Sequence, residues 1–203
     1  VKERGLYLLI DEAYDFLTYD GRRHYSPLSE PDMRGRVIIS KSFSKEYAMT
    51  GWRIGYIFAP PELIPGIRDT QVNFAIAPPT VSVAGAIAAL TDPRGEEAKL
   101  YFISEYTKSR KAMLHRLSQL PHLFTYVEPE GAFYAFPQYL GFEDMNAMAF
   151  AKFLVDEAHV ITIPGDSSGT AGAGHIRMSF ALPEATIHKA FDRIDACMKR
   201  YCR

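Results

Sequence analysis

The chain opens on an apolar run, Leu6-Tyr7-Leu8-Leu9-Ile10, with charge before it and Asp11 after it. A continuous run of this length, without alternation, predicts a fully buried strand over 5–10. Residues 16–31 are rich in turn formers: Asp20-Gly21, Ser26-Pro27, Ser29 and Pro31. Two further apolar runs predict strands over 36–43 and 52–59. Pro60-Pro61 breaks the last of these, and Pro61 is placed to open a helix at Glu62, where its missing N–H is no loss. Pro78-Pro79-Thr80 precedes an Ala-rich helix over 81–90, whose side chains are small enough for close packing.

Thr91-Asp92-Pro93-Arg94-Gly95 is the clearest internal boundary. Beyond it Leu100, Ile103, Thr107, Leu114 and Leu117 recur at helical spacing and predict a long helix over 96–120, ended by Pro121. Strands follow over 124–127 and 132–136 around the turn Pro129-Glu130-Gly131, then an amphipathic helix over 146–158, strands over 160–163 and 176–180, and a terminal helix over 183–201. The pattern predicts part of an α/β layer in residues 1–95 and a smaller α+β domain, hung on the long helix, in 96–203. Three strands are thin beside the usual sheet of about five or six. The chain also begins at Val1 and enters a core-like strand at once, so part of the first domain is expected to lie outside it.

Composition adds bounds rather than direction. The 203 residues are 47% hydrophobic and 23% charged, an ordinary globular balance. The formal net charge of −1, with both signs mixed, gives no footprint for nucleic acid or an anionic membrane. No run approaches the roughly 20 apolar residues of a membrane helix, and no signal peptide is visible. Lys108, Arg110, Lys111 and Arg116 read as one solvated helix face. Cys197 and Cys202 fit neither a zinc nor a redox spacing, which points to a reduced, cytoplasmic setting. The six histidines show no metal spacing, so no metal is expected.

Lys45 follows the apolar run that ends the second strand, and Arg53 stands eight residues later at the start of the third. Two strands joined by a short segment would hold Lys45 inside the fold. Burial disfavours the ammonium and makes a nucleophilic amine, the form a Schiff base needs. Asp11, at the C-terminal end of a strand, sits where α/β sheets bind ligands; alone it reads at least as readily as a helix N-cap. Arg177, alone, reads as a salt-bridged structural residue. The Gly- and Ser-rich stretch 164–174 lacks the Gly-Lys-Ser/Thr ending of a P-loop and reads as a mobile loop near the substrate. Trp52 and the Tyr and Phe content read as core.

The run Ser42-Phe43-Ser44-Lys45-Glu46-Tyr47-Ala48-Met49-Thr50-Gly51-Trp52-Arg53-Ile54-Gly55 resembles, over all its length, the lysine motif of the class I and II aminotransferases, enzymes of the aspartate aminotransferase fold type (fold type I) that use pyridoxal phosphate. Ile10-Asp11-Glu12-Ala13-Tyr14 upstream, then Gly131-Ala132-Phe133-Tyr134 and His175-Ile176-Arg177-Met178-Ser179-Phe180-Ala181, also resemble family segments, in the family's order. The resemblance covers essentially the whole chain and matches only the C-terminal portion of the family. It implies a partial large domain with a mixed, mostly parallel sheet. It makes Lys45 the Schiff-base lysine and proton carrier, Asp11 the partner of the pyridine nitrogen, and Tyr14 a donor to the cofactor's phenolate oxygen. Arg53 and Ser42 would hold the phosphate, with help from Ser44, and Arg177 the substrate α-carboxylate. Ser168 departs from the family, which often carries an aromatic near that place.

The resemblance implies transamination between an α-amino acid and a 2-oxo acid, by a homodimer that builds its site across two chains. Aspartate or aromatic substrates are expected first. Other family contacts (a phosphate-binding loop, a ring-stacking residue, an asparagine near the phenolate oxygen) belong to segments N-terminal to this one, so these residues alone are expected to bind the cofactor weakly and turn over little. Three alternatives stay open: another fold-type I enzyme such as a β-lyase or synthase, the aminotransferase-like effector domain of a transcription regulator, and a fragment without activity.

Overall fold

In the computed structural model, which describes residues 1–201, β1 (Leu8–Asp11) pairs in parallel with β2 (Val37–Ser42), Leu8 opposite Val37 and Asp11 opposite Ser40. α1 (Phe43–Glu46) follows β2 without a break, because Ser42 ends the strand and caps the helix, its Oγ accepting the Ser44 N–H at 3.2 Å. β3 (Gly55–Phe58) then runs antiparallel to β2, Ser42 opposite Gly55 and Ile39 opposite Phe58. The strand order β1-β2-β3 therefore puts the ends of β1 and β2 and the start of β3 at one edge of the sheet. Gly55 is required there, since a Cβ on it would lie 2.4 Å from the Lys41 carbonyl oxygen.

A 3-10 turn at Pro61–Leu63 leads into α2 (Ile64–Phe74), and Pro79 precedes α3 (Thr80–Thr91). Asp92 separates α3 from α4 (Pro93–Ser118), its Oδ1 accepting the Arg94 N–H at 2.9 Å. Close packing of small residues is realised twice: a Cβ on Gly85 would strike the Trp52 indole at 2.7 Å, and one on Gly95 the Ala89 carbonyl oxygen at 2.0 Å. The chain divides into two compact units, Val1–Ile103 and Ser104–Arg203. In the first, Phe43, Met49 and Ala86 form a small cluster with Tyr47, Ile54, Tyr56 and Ala89 around it, and Leu17, Val37 and Ile39 are sealed.

Two expectations for this unit are corrected. β1 is not fully buried: exposure alternates along it, and Leu9 is 70% exposed. Successive side chains of a strand point to opposite faces of the sheet, and the face that carries Leu9 is left open to solvent. Trp52 is likewise half-exposed rather than core, because it covers Gly85 from outside.

The second unit holds β4 (Phe124–Thr125), β5 (Tyr134–Ala135) and β6 (Gln138–Tyr139), then α5 (Ala147–Phe153), β7 (Ile163–Pro164), β8 (Ile176–Ser179) and α6 (Glu184–Tyr201). β4 pairs antiparallel with β6, and β8 lies between β5 and β7, antiparallel to both. Asn146 caps α5, its Oδ1 accepting the Ala149 N–H at 2.8 Å. The amphipathic helix expected to 158 loosens at Phe153 into a π-helical turn, Leu154–Ala158. Leu117, Leu123, Phe150, Leu154, Ile176, Phe180, Phe191 and Ile194 fill the core.

The basic face expected on α4 is also corrected. Arg110 is buried, its Nε donating to the Pro129 carbonyl at 2.8 Å, and Arg116 reaches Asp192 at 2.7 Å while lying over the Phe191 ring. Long stems lying on apolar surface explain both, although the head of Arg116 is only partly satisfied, its Nε being buried without a hydrogen-bond partner. The stretch 164–174, expected to be a mobile loop, is folded into two 3-10 turns, Gly165–Ser168 and Thr170–Gly172, pressed together at Gly165 and Gly172. Cys197 is a buried free thiol; Cys202 lies outside the described residues.

Candidate cofactor site

Asp11 ends β1 and is exposed at the sheet's edge. Its Oδ1 accepts the Ala13 N–H at 3.1 Å, so the local bond is that of an Asx turn; residues 13–16 form a turn rather than the helix that an N-cap would open. The Glu12 N–H donates to the Ser40 carbonyl at 2.9 Å and carries the β1–β2 ladder one step further. Tyr14 lies half-buried in the turn, whose carbonyl accepts the Leu17 N–H at 3.0 Å.

Across the ladder, Ser42, Ser44 and Lys45 belong to the end of β2 and the single turn of α1. Lys45 is half-buried, not enclosed between strands as expected. The reason is placement: a one-turn helix at the end of a sheet puts its side chains at the edge of the layer. Accepting from Ser44 leaves the Ser42 hydroxyl its own O–H to donate. The segment from α1 to β3 holds two non-glycine residues at positive φ, Ala48 at 53° and Arg53 at 50°. Such conformations cost roughly 1–3 kcal/mol each and gather at functional sites. At Arg53 the turn faces the guanidinium outward, with Nη1 donating to the Thr50 carbonyl at 3.1 Å and the rest of the fork exposed.

Sequence reasoning missed the charges packed beneath these turns. Lys41, on β2, is ion-paired with Asp15 and lies 4.0 Å from Glu12. His24 Nε2 comes within 3.1 Å of Glu12 Oε1 without hydrogen-bond geometry, leaving that buried oxygen without a hydrogen bond. At the other end of α1, Glu46 meets Lys99 at 3.6 Å, and Lys99 meets Glu96 at 2.5 Å. Burial pushes the Glu46 carboxyl above its ordinary value, and the Lys99 ammonium opposes the rise. Burial also raises Tyr47 and Tyr56. The available signal was a charge inside an apolar strand run, Lys41 after Val37-Ile38-Ile39-Ser40.

Arg177 belongs to the second unit, on β8 opposite Ile163. Its neighbours Ile176 and Met178 point into that unit's core, so Arg177 faces away from it. The guanidinium lies 4.7 Å from the centroid of the Tyr134 ring, a diagonal cross-strand pair with a cation–π contact.

One edge of the first unit's sheet thus collects a carboxylate, a phenol, an amine, two hydroxyls and a guanidinium. In chemical type that donor set is compatible with a flat cofactor carrying a ring nitrogen, a ring oxygen, a carbonyl and a phosphate. No group of His, Cys, Asp and Glu among the described residues is placed to hold a metal ion. No helix among them is long and apolar enough to cross a membrane.

The model of the family described as aminotransferase class I and II matches residues 1–194. An aromatic-amino-acid aminotransferase 2 of Thermococcus litoralis is 34% identical over 97% of this chain and 50% of its own length. An aspartate aminotransferase of Pyrococcus abyssi is also 34% identical, over 97% of this chain and 50% of its own. The solved aromatic aminotransferase of Pyrococcus horikoshii superposes with a TM-score of 0.93 at 34% identity, covering 99% of this chain and 53% of that one. This chain spans about half the length of the relatives it matches, and the fold reading, an α/β layer that is part of a larger domain plus a smaller unit, agrees with that match.

Proposed function

The chain belongs to the class I and II aminotransferases, and from that premise we propose that its parent protein moves an amino group between an α-amino acid and a 2-oxo acid. The family depends on pyridoxal phosphate. The observation that carries the reading is the edge where parallel β1 and β2 end together, with Asp11 on one and Ser42 and Lys45 at the close of the other.

Asp11 is proposed to hold a proton on the pyridine nitrogen, and Tyr14 to donate to the ring oxygen. The Ser42 O–H and the Arg53 fork would bind the phosphate, Arg53 bidentately, with Ser44 beside them. Bound there, the cofactor supplies an electron sink conjugated to the substrate Cα. Lys45 Nζ carries the proton to and from that Cα as a positioned base. Arg177, a planar fork turned away from its own unit's core, is proposed to bind the substrate α-carboxylate. The names of the relatives support aspartate or an aromatic amino acid as first substrates. We keep a large domain in 1–95 and a small one in 96–203, a homodimer and a cytoplasmic location as parts of the same proposal.

The test is borohydride reduction of the full-length protein loaded with pyridoxal phosphate, followed by peptide mass analysis. The label is expected on Lys45, with a visible absorbance band that Lys45→Ala loses. A label on Lys41, or a band that survives Lys45→Ala, would sink the assignment. Oxo-acid product and ammonia released from the amino acid with no 2-oxo acid present to accept the amino group would point instead to a lyase.

A further inference from the structure

The backbone ladder between β1 and β2 stops with the Glu12 N–H on the Ser40 carbonyl. Past that bond the chain turns on itself, with Asp15 N–H to the Glu12 carbonyl at 3.4 Å and Leu17 N–H to the Tyr14 carbonyl at 3.0 Å. The Lys41 ammonium, next in sequence to Ser42, reaches across to this turn, pairing with Asp15 and standing 4.0 Å from Glu12. Its side chain is 14% exposed and that of Glu12 only 4%, so these charges face little water. A half-satisfied buried pair is weak evidence for stability, since apolar replacements of similar volume are often as stable. What such a pair can fix is geometry.

We propose that Lys41 is a positioning residue, whose ammonium, shared by Asp15 and Glu12, locks the turn carrying Asp11 and Tyr14 to the strand end carrying Ser42 and Lys45. The inference rests on the cofactor reading of those four residues. Lys41 faces Glu12 and Asp15 from the turn after β1, Tyr56 opposite it on β3, and Glu46 on α1, with His24 behind Glu12. Without the ammonium, those acidic groups repel each other at the junction. A shift of about 1 Å in a positioning contact is worth on the order of 10²-fold in rate; binding of the cofactor should feel the same displacement.

The experiment uses the full-length protein in four forms: wild type, Lys41→Met, Lys41→Arg, and the charge-free Glu12→Gln/Asp15→Asn/Lys41→Met. The readouts are pyridoxal phosphate affinity by equilibrium dialysis, the pH midpoint of the bound cofactor's absorbance, and urea stability. Lys41→Met is expected to weaken affinity about tenfold or more and to move the pH midpoint, and Lys41→Arg to restore both. The charge-free variant keeps the volumes without the repulsion, so it should fold as stably as wild type yet still bind weakly with a displaced midpoint. A charge-free variant with wild-type affinity and midpoint would overturn the proposal and leave the network a packing feature. A wild type that takes up no cofactor would instead overturn the cofactor reading itself.

Discussion

In the second unit Phe150, Phe180, Phe191, Leu117, Leu123 and Ile176 are all sealed from solvent; in the first, Leu9 is 70%, Phe74 85% and Ile76 86% exposed. Both units are built from the same kinds of residue, so hydrophobicity alone does not explain the contrast. The second unit closes its core within itself, with α5, α6 and short antiparallel strands around one aromatic cluster. The first is a three-stranded sheet with an open side, and it carries six of the seven residues proposed to meet the cofactor and substrate. Relatives have about twice as much chain, and the first unit exposes more large apolar residues than the second, although Val127 and Ile161 of the second are also open to solvent. The lesson is that the proposed chemistry and the more closed core are separated here: the proposed cofactor residues lie in the unit that exposes more apolar surface.

The contrast breaks most visibly at Phe150. Its ring stacks 4.1 Å from Tyr139 and is fully enclosed. Phe150→Ala should destabilise the chain by about 3–5 kcal/mol in urea unfolding. A loss below about 1 kcal/mol would mean that the second unit's core can collapse around the gap, against the close packing seen there.

Glycine substitutions sharpen the same comparison through opposite signs. A Cβ on Gly165, in the second unit, would lie 2.3 Å from the Gly172 carbonyl oxygen and 2.7 Å from that of His175, both backbone atoms that cannot step aside. Gly165→Ala should therefore destabilise by about 1–3 kcal/mol. Gly66, within α2 of the first unit, has open space where a Cβ would go. Gly66→Ala should stabilise by about 0.5–1 kcal/mol, the helix-propensity gain alone. Equal effects at the two sites in thermal melts would erase the distinction.

The sequence made the proposed cofactor edge legible because its motif is contiguous: residues 42–55 lie on one strand end, short helical turns and one strand start, so order along the chain became proximity in space. Long helices were legible for a similar reason, with α4 and α6 within a few residues of their expected bounds. Burial was not. Whether Leu9 or Trp52 is covered depends on what stands across from it, and the apolar run is the same either way. Arg110 and Lys41 were missed for the converse reason. A charge is read as solvated until a distant partner, the Pro129 carbonyl or Asp15, is known. The short strands β4, β5 and β7 were smeared or shifted and β6 was missed, because two-residue ladders are set by register against a partner, β8 for β5 and β7 and each other for β4 and β6, not by local pattern.

A smaller effect comes from Glu46, beside Lys45 on α1. Burial holds its folded-state value above the ordinary 4.5, so the folded chain binds this proton more tightly than the unfolded one. Stability from this group is then fully present below pH 4.5 and is lost as pH rises through the raised folded value. Glu46→Gln should remove that decline, flattening the stability profile above pH 4.5 while leaving the acid side unchanged. A variant whose profile still falls in parallel with wild type would place the decline elsewhere. Lys99 is the natural next place to look, since it would lose its 3.6 Å partner.

The smallest expected effect tests the open side of the sheet directly. Leu9 on β1 has most of its surface in water. Leu9→Lys in this chain should change stability by no more than about 0.5 kcal/mol, as exposed substitutions do. If further chain covers that face in a parent protein of the relatives' length, the same substitution should there cost at least the roughly 1.5–3 kcal/mol of burying a leucine side chain. The difference between the two contexts is the informative quantity. Equal, near-zero effects in both would mean that β1 keeps an exposed face in the whole protein. A large effect in this chain alone would mean that the first unit already covers Leu9 in solution, and the contrast between the two units would narrow accordingly.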